Sequence, residues 1–146
     1  MFAQNPQKTT TALLWGATSN AGQACQSIER IYVESSVHDE FVSLLAKKAA
    51  RIGLCFPTYD TPGLGPIIAD RQVPVIERHL ADALARGAVV EAGSTEVERH
   101  GGGAWVRITV LSNVNHAMEI MREETFGPFL PVMSVADADE IGRAHV

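Results

Sequence analysis

Short runs of β-forming residues alternate along this chain with segments whose apolar residues recur every three or four positions. The clearest helical segment is residues 37–51, and Ser36 with Asp39 resembles a capping box at its start. The apolar face of this segment consists of Phe41, Leu44, Leu45 and Ile52. Such a strong helical period between strand-like runs restricts the chain to folds that mix both element types.

The remaining segments continue the alternation. A Gly- and Pro-rich loop follows the first amphipathic helix, and then a second helix is predicted that Asp70 caps and Gly87 ends. Shorter helices are predicted at 10–19 and 117–122, and strands at 27–33, 88–92, 105–111 and 129–135. We therefore predict an α/β fold in which strands alternate with helices and the sheet is largely parallel.

Composition limits the classes of function. The chain has 146 residues, 46% of them hydrophobic, which is typical of one globular domain. A net charge of -5 argues against nucleic acid as a partner, and the sequence contains no apolar run of the roughly 18 residues that a membrane span needs. The 5 histidines show no metal-ligand spacing, so we expect surface positions for them and no metal site. With no disulfide pattern and no signal peptide, a cytoplasmic location is expected.

One cysteine lies in a suggestive context. The segment NAGQACQSIERIYV, residues 20–33, places Cys25 after small, flexible residues and before a strand-like run. Backbone N–H groups in such a turn can stabilise a thiolate, which is the nucleophilic form of cysteine. On spacing alone, a small buried hydrophobe is the favoured explanation of Cys25. Cys55, in the Pro-rich loop, is predicted to be structural.

The second suggestive segment is REETFGPFLP, residues 122–131. Carboxylate oxygens only accept hydrogen bonds, so Glu123 or Glu124 would suit a pair of hydroxyls such as those of a ribose. Phe126 would offer a flat face to a ring. A charged helix end followed by an ordinary turn is the alternative explanation.

Taken together, these motifs resemble the NAD(P)-dependent aldehyde dehydrogenase family. NAGQACQSIERIYV resembles the family's active-site segment, EETFGP resembles its second signature, and GPIIADRQVPVIERHLADALARGAVVEAG and GGGAWVRITVL lie between them in the family's order. The resemblance extends from about Leu13 to Asp139 and implies part of the family's catalytic domain.

The resemblance also implies roles for particular residues. Cys25 would attack an aldehyde to give a thiohemiacetal and then a thioester, whose hydrolysis releases a carboxylate. Glu124 would bind the hydroxyls of the nicotinamide ribose of NAD or NADP, and Phe126 would pack beside the nicotinamide ring. Gly22 and Gln23 would shape the loop that carries the nucleophile.

We expect three parts in the chain. Residues 13–139 would form a partial catalytic domain, 1–12 would be foreign or disordered, and 140–146 would be a non-native tail, because EIGRAHV matches a translated sequencing adapter. The family's members are several times longer and would be homo-oligomers, so this chain would be a fragment. It would lack the dinucleotide-binding domain, the oxyanion asparagine and the glutamate that activates water, and alone it would be inactive.

Two alternatives compete with this hypothesis. One is a cysteine-dependent esterase or acyltransferase that uses Cys25 with one of the histidines. The other is a non-catalytic, partner-binding remnant, whose exposed apolar surface once met the missing dinucleotide-binding domain.

Overall fold

A computed structural model gives the structure of residues 5–58 and 60–143. Residues 1–4 and 144–146 lie outside the described residues. They are parts of the segments 1–12 and 140–146, which were expected to be foreign or disordered and a non-native tail. In chain order the elements are α1 (Pro6–Thr18), β1 (Ile31–Glu34), α2 (His38–Ala49), α3 (Val73–Ala85), β2 (Val89–Ala92), β3 (Glu98–His100), β4 (Gly103–Trp105), β5 (Thr109–Ser112), β6 (Phe129–Val135) and α4 (Ala138–Arg143).

Four strands form the central sheet in the order β1-β6-β5-β2. The β1–β6 and β6–β5 pairs are parallel, with Ile31 opposite Val132 and Thr109 opposite Phe129. The β5–β2 pair is antiparallel, and β3 with β4 forms a separate hairpin. The predicted α/β fold with a largely parallel sheet is therefore confirmed.

Helices cover both faces of this sheet. Alternate residues of β5 and β6 point to opposite sides, as the two-residue period of a strand requires. Val110 and Leu130 join α1, α2 and β1 in one apolar cluster, whereas Leu111 and Phe129 join α3 and β4 in the other. All four residues of β5 are buried, which is usual for a strand covered on both faces.

Several local predictions were wrong in detail. The capping box at Ser36 and Asp39 does not form, because α2 begins after Val37 without a side-chain cap. Asp70 does not cap α3, which begins after Gln72; it lies in a preceding 3₁₀ turn and pairs with Arg99. The helix expected at 117–122 is only the 3₁₀ turn Glu119–Met121.

The strand predictions also need correction. The run expected as one strand at 105–111 is divided between the hairpin strand β4 and the sheet strand β5. β2 was expected to be buried, but it lies at the edge of the sheet with Val89 48% exposed. None of the helices in the described part of the chain has the length and apolar character that a bilayer span requires.

Residues 6–12 form the first turns of α1, which packs on α2. Lys48 of α2 fastens them, because its ammonium donates to the carbonyl of Gln7 and to the hydroxyls of Thr10 and Thr11, at 2.5, 2.8 and 2.7 Å. The origin of this segment and of the C-terminal tail stays a prediction.

Candidate active site

Cys25 lies in a turn between α1 and β1. After α1 the backbone takes a left-handed conformation at three successive residues, Asn20, Ala21 and Gly22, with φ of 53°, 55° and 73°. The Ser27 N–H then donates to the Ala24 carbonyl at 2.9 Å, which closes residues 24–27, the Cys25 turn. Cys25 is exposed, and its thiol lies 3.1 Å from the side-chain oxygen of Gln26. The buried alternative for Cys25 is therefore wrong, whereas Cys55, which was predicted to be structural, is buried.

Gly22 allows this loop to meet the EETFGP segment. A Cβ at Gly22 would lie 2.3 Å from the carbonyl oxygen of Gly127, a distance that real Cβ atoms essentially never show. The positive φ adds a second reason for glycine here. The contact places residues just before the Cys25 turn directly against residues just after Phe126.

Gln23 fixes the loop from the other side. Its side-chain amide donates to the carbonyls of Asn20 and Pro66 at 3.0 and 3.2 Å, and its side-chain oxygen accepts from the Ile68 N–H at 2.8 Å. One side chain therefore joins the loop before Cys25 to a segment more than 40 positions away. This geometry suits a residue that shapes the loop.

Residues 123–126, the Thr125 turn, are held by groups from three parts of the chain. Thr125 is buried, and its N–H donates to both carboxylate oxygens of Glu29, at 3.0 and 3.2 Å. Its carbonyl accepts from the side-chain amide of Gln72 at 2.8 Å, and its hydroxyl lies 3.0 Å from Nδ1 of His79. Every polar group of Thr125 thus has a partner.

His79 contacts the Thr125 turn from α3, and the expectation that it lies on the surface was wrong. It is 1% exposed on the inner face of α3, three residues after Ile76, and that helical spacing was the signal for burial. Its Nε2 lies 3.2 Å from the Arg78 guanidinium and 3.6 Å from the Glu119 carboxylate, and its Nδ1 lies 3.0 Å from the Thr125 hydroxyl. Burial, helped by the Arg78 guanidinium, lowers the pKa of His79.

The two turns enclose one small cavity. Its volume is about 230 Å³, and its lining residues are Ala24, Cys25, Ser27, Glu29, Arg30, Glu124 and Phe126. Phe126 is half-buried with a left-handed φ of 48°, and Glu124 is exposed at the rim. The predicted Cys25, Glu124 and Phe126 are therefore neighbours in space although about 100 positions separate them in sequence.

The cavity combines a thiol, carboxylates and an aromatic face. Glu124 presents acceptor oxygens that fit paired hydroxyls, and Phe126 presents a ring that fits a flat heterocycle. These groups match the chemistry of a nicotinamide ring and its ribose. Among the described residues, no group of three or more potential ligands could hold a metal ion.

Comparisons with known proteins show which family this chain belongs to. The model of the "Aldehyde dehydrogenase family" matches residues 3–144. The 4,4'-diapolycopene aldehyde oxidase of Methylomonas sp is 38% identical over 135 residues, which are 92% of this chain and 24% of that protein. The solved structure of PutA from Anabaena variabilis is 48% identical, has a TM-score of 0.92, and is matched over 96% of this chain and 30% of its own.

A second solved structure is that of a 3,6-anhydro-L-galactose dehydrogenase in complex with NAP. It is 31% identical, with a TM-score of 0.88, and the match covers 99% of this chain and 31% of that one. The chain spans about a quarter of the length of the curated relatives that it matches. Because the family model covers nearly all of its residues, this chain belongs to the aldehyde dehydrogenase family.

Proposed function

We propose that this chain carries the nucleophile segment of an enzyme that oxidises an aldehyde to a carboxylate, with NAD or NADP as the hydride acceptor. The observation that supports this proposal is the shared cavity, where Cys25 meets Glu124 and Phe126. Residues 13–139 would be part of the catalytic domain, and a reducing cytoplasm would keep the Cys25 thiol free.

In the proposed reaction, the Cys25 thiolate forms a C–S bond to the aldehyde carbon, and the carbonyl oxygen becomes the oxyanion of a thiohemiacetal. Loss of hydride from that carbon leaves a thioester on Cys25. Water then cleaves the C–S bond, which gives the carboxylate and returns the thiol. Covalent catalysis of this kind divides one difficult oxidation into easier steps.

The remaining residues would bind and orient. Glu124 would accept hydrogen bonds from the ribose hydroxyls, and Phe126 would limit the position of the nicotinamide ring. The dinucleotide, when bound, supplies the acceptor for the hydride. Gly22 and Gln23 would keep the Cys25 turn against the Thr125 turn through the contacts described above.

The chain by itself would not turn over. The proposed residues supply a nucleophile and part of a nicotinamide site, but the proposal assigns no residue of this chain to activating the hydrolytic water. The purified 146-residue chain, mixed with propanal and either NAD or NADP, is therefore expected to form no more reduced dinucleotide than Cys25→Ser. Clear aldehyde-dependent formation by the unsubstituted chain would contradict this part of the proposal.

Covalent capture tests the nucleophile directly. An activated ester such as p-nitrophenyl acetate should acylate Cys25, and mass spectrometry should locate the acetyl group there in the unsubstituted chain and in Cys55→Ser. Acylation confined to Cys55 would refute the assignment of Cys25. Loss of Cys25 acylation in one histidine variant would favour the esterase alternative, although no histidine is among the described residues that line the cavity.

A further inference from the structure

Glu29 lies four residues after Cys25, and none of the roles proposed above uses it. We propose that Glu29 is a positioning residue, whose carboxylate fixes the Thr125 turn so that Glu124 and Phe126 face the Cys25 cavity. This inference rests on the proposed function, because the orientation of the turn matters for catalysis only if Glu124 and Phe126 meet the nicotinamide ribose.

The contacts of Glu29 form a clamp on backbone groups. Its oxygen atoms accept from the Thr125 N–H at 3.0 and 3.2 Å and from the Phe126 N–H at 3.0 Å. The side chain is half-buried, so these charge-assisted hydrogen bonds are partly shielded from water. Two successive N–H groups of the turn thus donate to one carboxylate.

The next residue, Arg30, binds the same turn with the opposite charge. Arg30 donates from Nη2 to the carbonyl of Glu123 at 3.3 Å. A carboxylate therefore meets N–H groups at one end of the turn, and a guanidinium meets a carbonyl at the other. Because both side chains come from the segment that leads from Cys25 into β1, the nucleophile and the turn share one support.

Phe126 explains why such a clamp is needed. Its φ of 48° lies in the left-handed region, which is unfavourable for a residue with a Cβ. The N–H groups of Thr125 and Phe126 donate to the Glu29 carboxylate, and these hydrogen bonds stabilise that conformation. Since both oxygens of Glu29 are engaged by backbone amides, the geometry favours positioning over direct proton transfer, although Glu29 lines the cavity.

The first part of the test measures the clamp without any ligand. In the ¹⁵N-labelled chain, hydrogen exchange of the Thr125 and Phe126 amides should be slow, because both N–H groups donate to Glu29. Glu29→Ala removes the acceptor and should speed exchange at both amides, and Glu29→Gln, which keeps one neutral acceptor oxygen, should speed it less. Glu40→Gln, on the exposed side of α2, is the matched control and should leave it unchanged. Unchanged exchange at both amides in the Glu29 variants would overturn the inference, whether or not any nucleotide binds.

The second part adds nicotinamide mononucleotide, which contains the ring and ribose in question. We expect it to shift the Phe126 amide of the unsubstituted chain, to bind Glu29→Ala about fivefold more weakly, and to bind Glu29→Gln with intermediate affinity. If Glu29→Ala does not fold, as its amide spectrum would show, the Glu29→Gln comparison decides alone.

The two proposals fail in different ways. Equal affinity of the unsubstituted chain and the Glu29 variants would overturn the positioning role and leave the assignment of Glu124 and Phe126 intact. Binding to none of them would remove the support for a nicotinamide site at these residues. The functional inference about Glu29 would then fall with that site, even if the amide exchange showed that the clamp exists.

Discussion

The Cys25 turn and the Thr125 turn face the same cavity but are held in different ways. The Cys25 turn is closed by one backbone hydrogen bond and leaves its thiol exposed. Thr125 is buried and bonded through its amide, carbonyl and hydroxyl to Glu29, Gln72 and His79. Under the proposed function, the exposed turn would carry a nucleophile that must reach its substrate, and the buried turn would carry ligand-binding residues that benefit from a fixed geometry.

The largest effect is expected where the residue Gly22, just before the Cys25 turn, touches Gly127, just after the Thr125 turn. Gly22→Ala would force a Cβ against the Gly127 carbonyl and leave alanine at a positive φ, so we expect a loss of about 4 kcal/mol of unfolding free energy. Urea denaturation measures it. Gly65→Ala is the matched control, because a Cβ there meets nothing within 4 Å. Equal stability of the two variants would show that Gly22 does not pack against the Gly127 carbonyl.

A smaller effect should come from the anchor of the Thr125 turn. The folded chain lowers the pKa of His79 below its ordinary value of 6.5, so the unfolded chain binds more protons at mildly acid pH. Stability that is present above about pH 6.5 should therefore be lost as the pH falls, with a slope of at most about 1.4 kcal/mol per pH unit from this group.

Urea midpoints between neutral and mildly acid pH measure this dependence. His79→Gln removes the titrating ring, so the difference between the two chains isolates the contribution of His79. The same pH dependence in both chains would contradict the buried, neutral His79 and weaken the contrast between the turns.

Removing the contacts beside the Cys25 turn should reduce stability less, and its effect should be seen at Cys25 itself. Gln23→Ala removes the hydrogen bonds to Pro66 and Ile68, so we expect a loss of about 1 kcal/mol. The alkylation rate of Cys25 should change, while amide exchange at Thr125 stays as before. Gln7→Ala, with an exposed side chain on α1, serves as the control. A larger change at Thr125 than at Cys25 would mean that the Gln23 hydrogen bonds stabilise the Thr125 turn more than the Cys25 turn.

The smallest effect on stability is expected outside both turns. Trp15 is 75% exposed on α1, so Trp15→Ser should change the unfolding free energy by less than about 0.5 kcal/mol. If the partner-binding alternative describes this chain, the same change should reduce self-association in sedimentation experiments. Val37→Ser, at a separate exposed apolar side chain, is the control. Identical sedimentation of all three chains would count against that alternative.

The spacing of apolar residues predicted the long helices and strands, because that spacing reflects which side chains are buried. Residues 37–51 and 129–135 correspond closely to α2 and β6. The apolar run around Trp105 gave no sign of the break between β4 and β5, since that break depends on which strand each half pairs with. The edge position of β2 is likewise a property of the assembled sheet and not of its own residues.

The motifs also predicted which residues would meet at the cavity, but not what holds them. The family resemblance pointed to Cys25, Glu124 and Phe126, which line one space. Glu29 was missed because its partners are 96 and 97 positions away, and a single glutamate before a strand carries no local signal of them. The role of His79 was missed although its helical spacing from Ile76 was visible in the sequence.

The contacts of Glu29 limit how the segment between Cys25 and Ile31 can evolve in sequence. β1 is locked to β6 by its register from Ile31, and Glu29 is locked to the amides of the Thr125 turn. The interval from Cys25 to Ile31 therefore acts as a spacer of fixed length. An insertion or deletion of a single residue within it would carry the thiol away from Glu124 and Phe126 or pull the carboxylate off its amides.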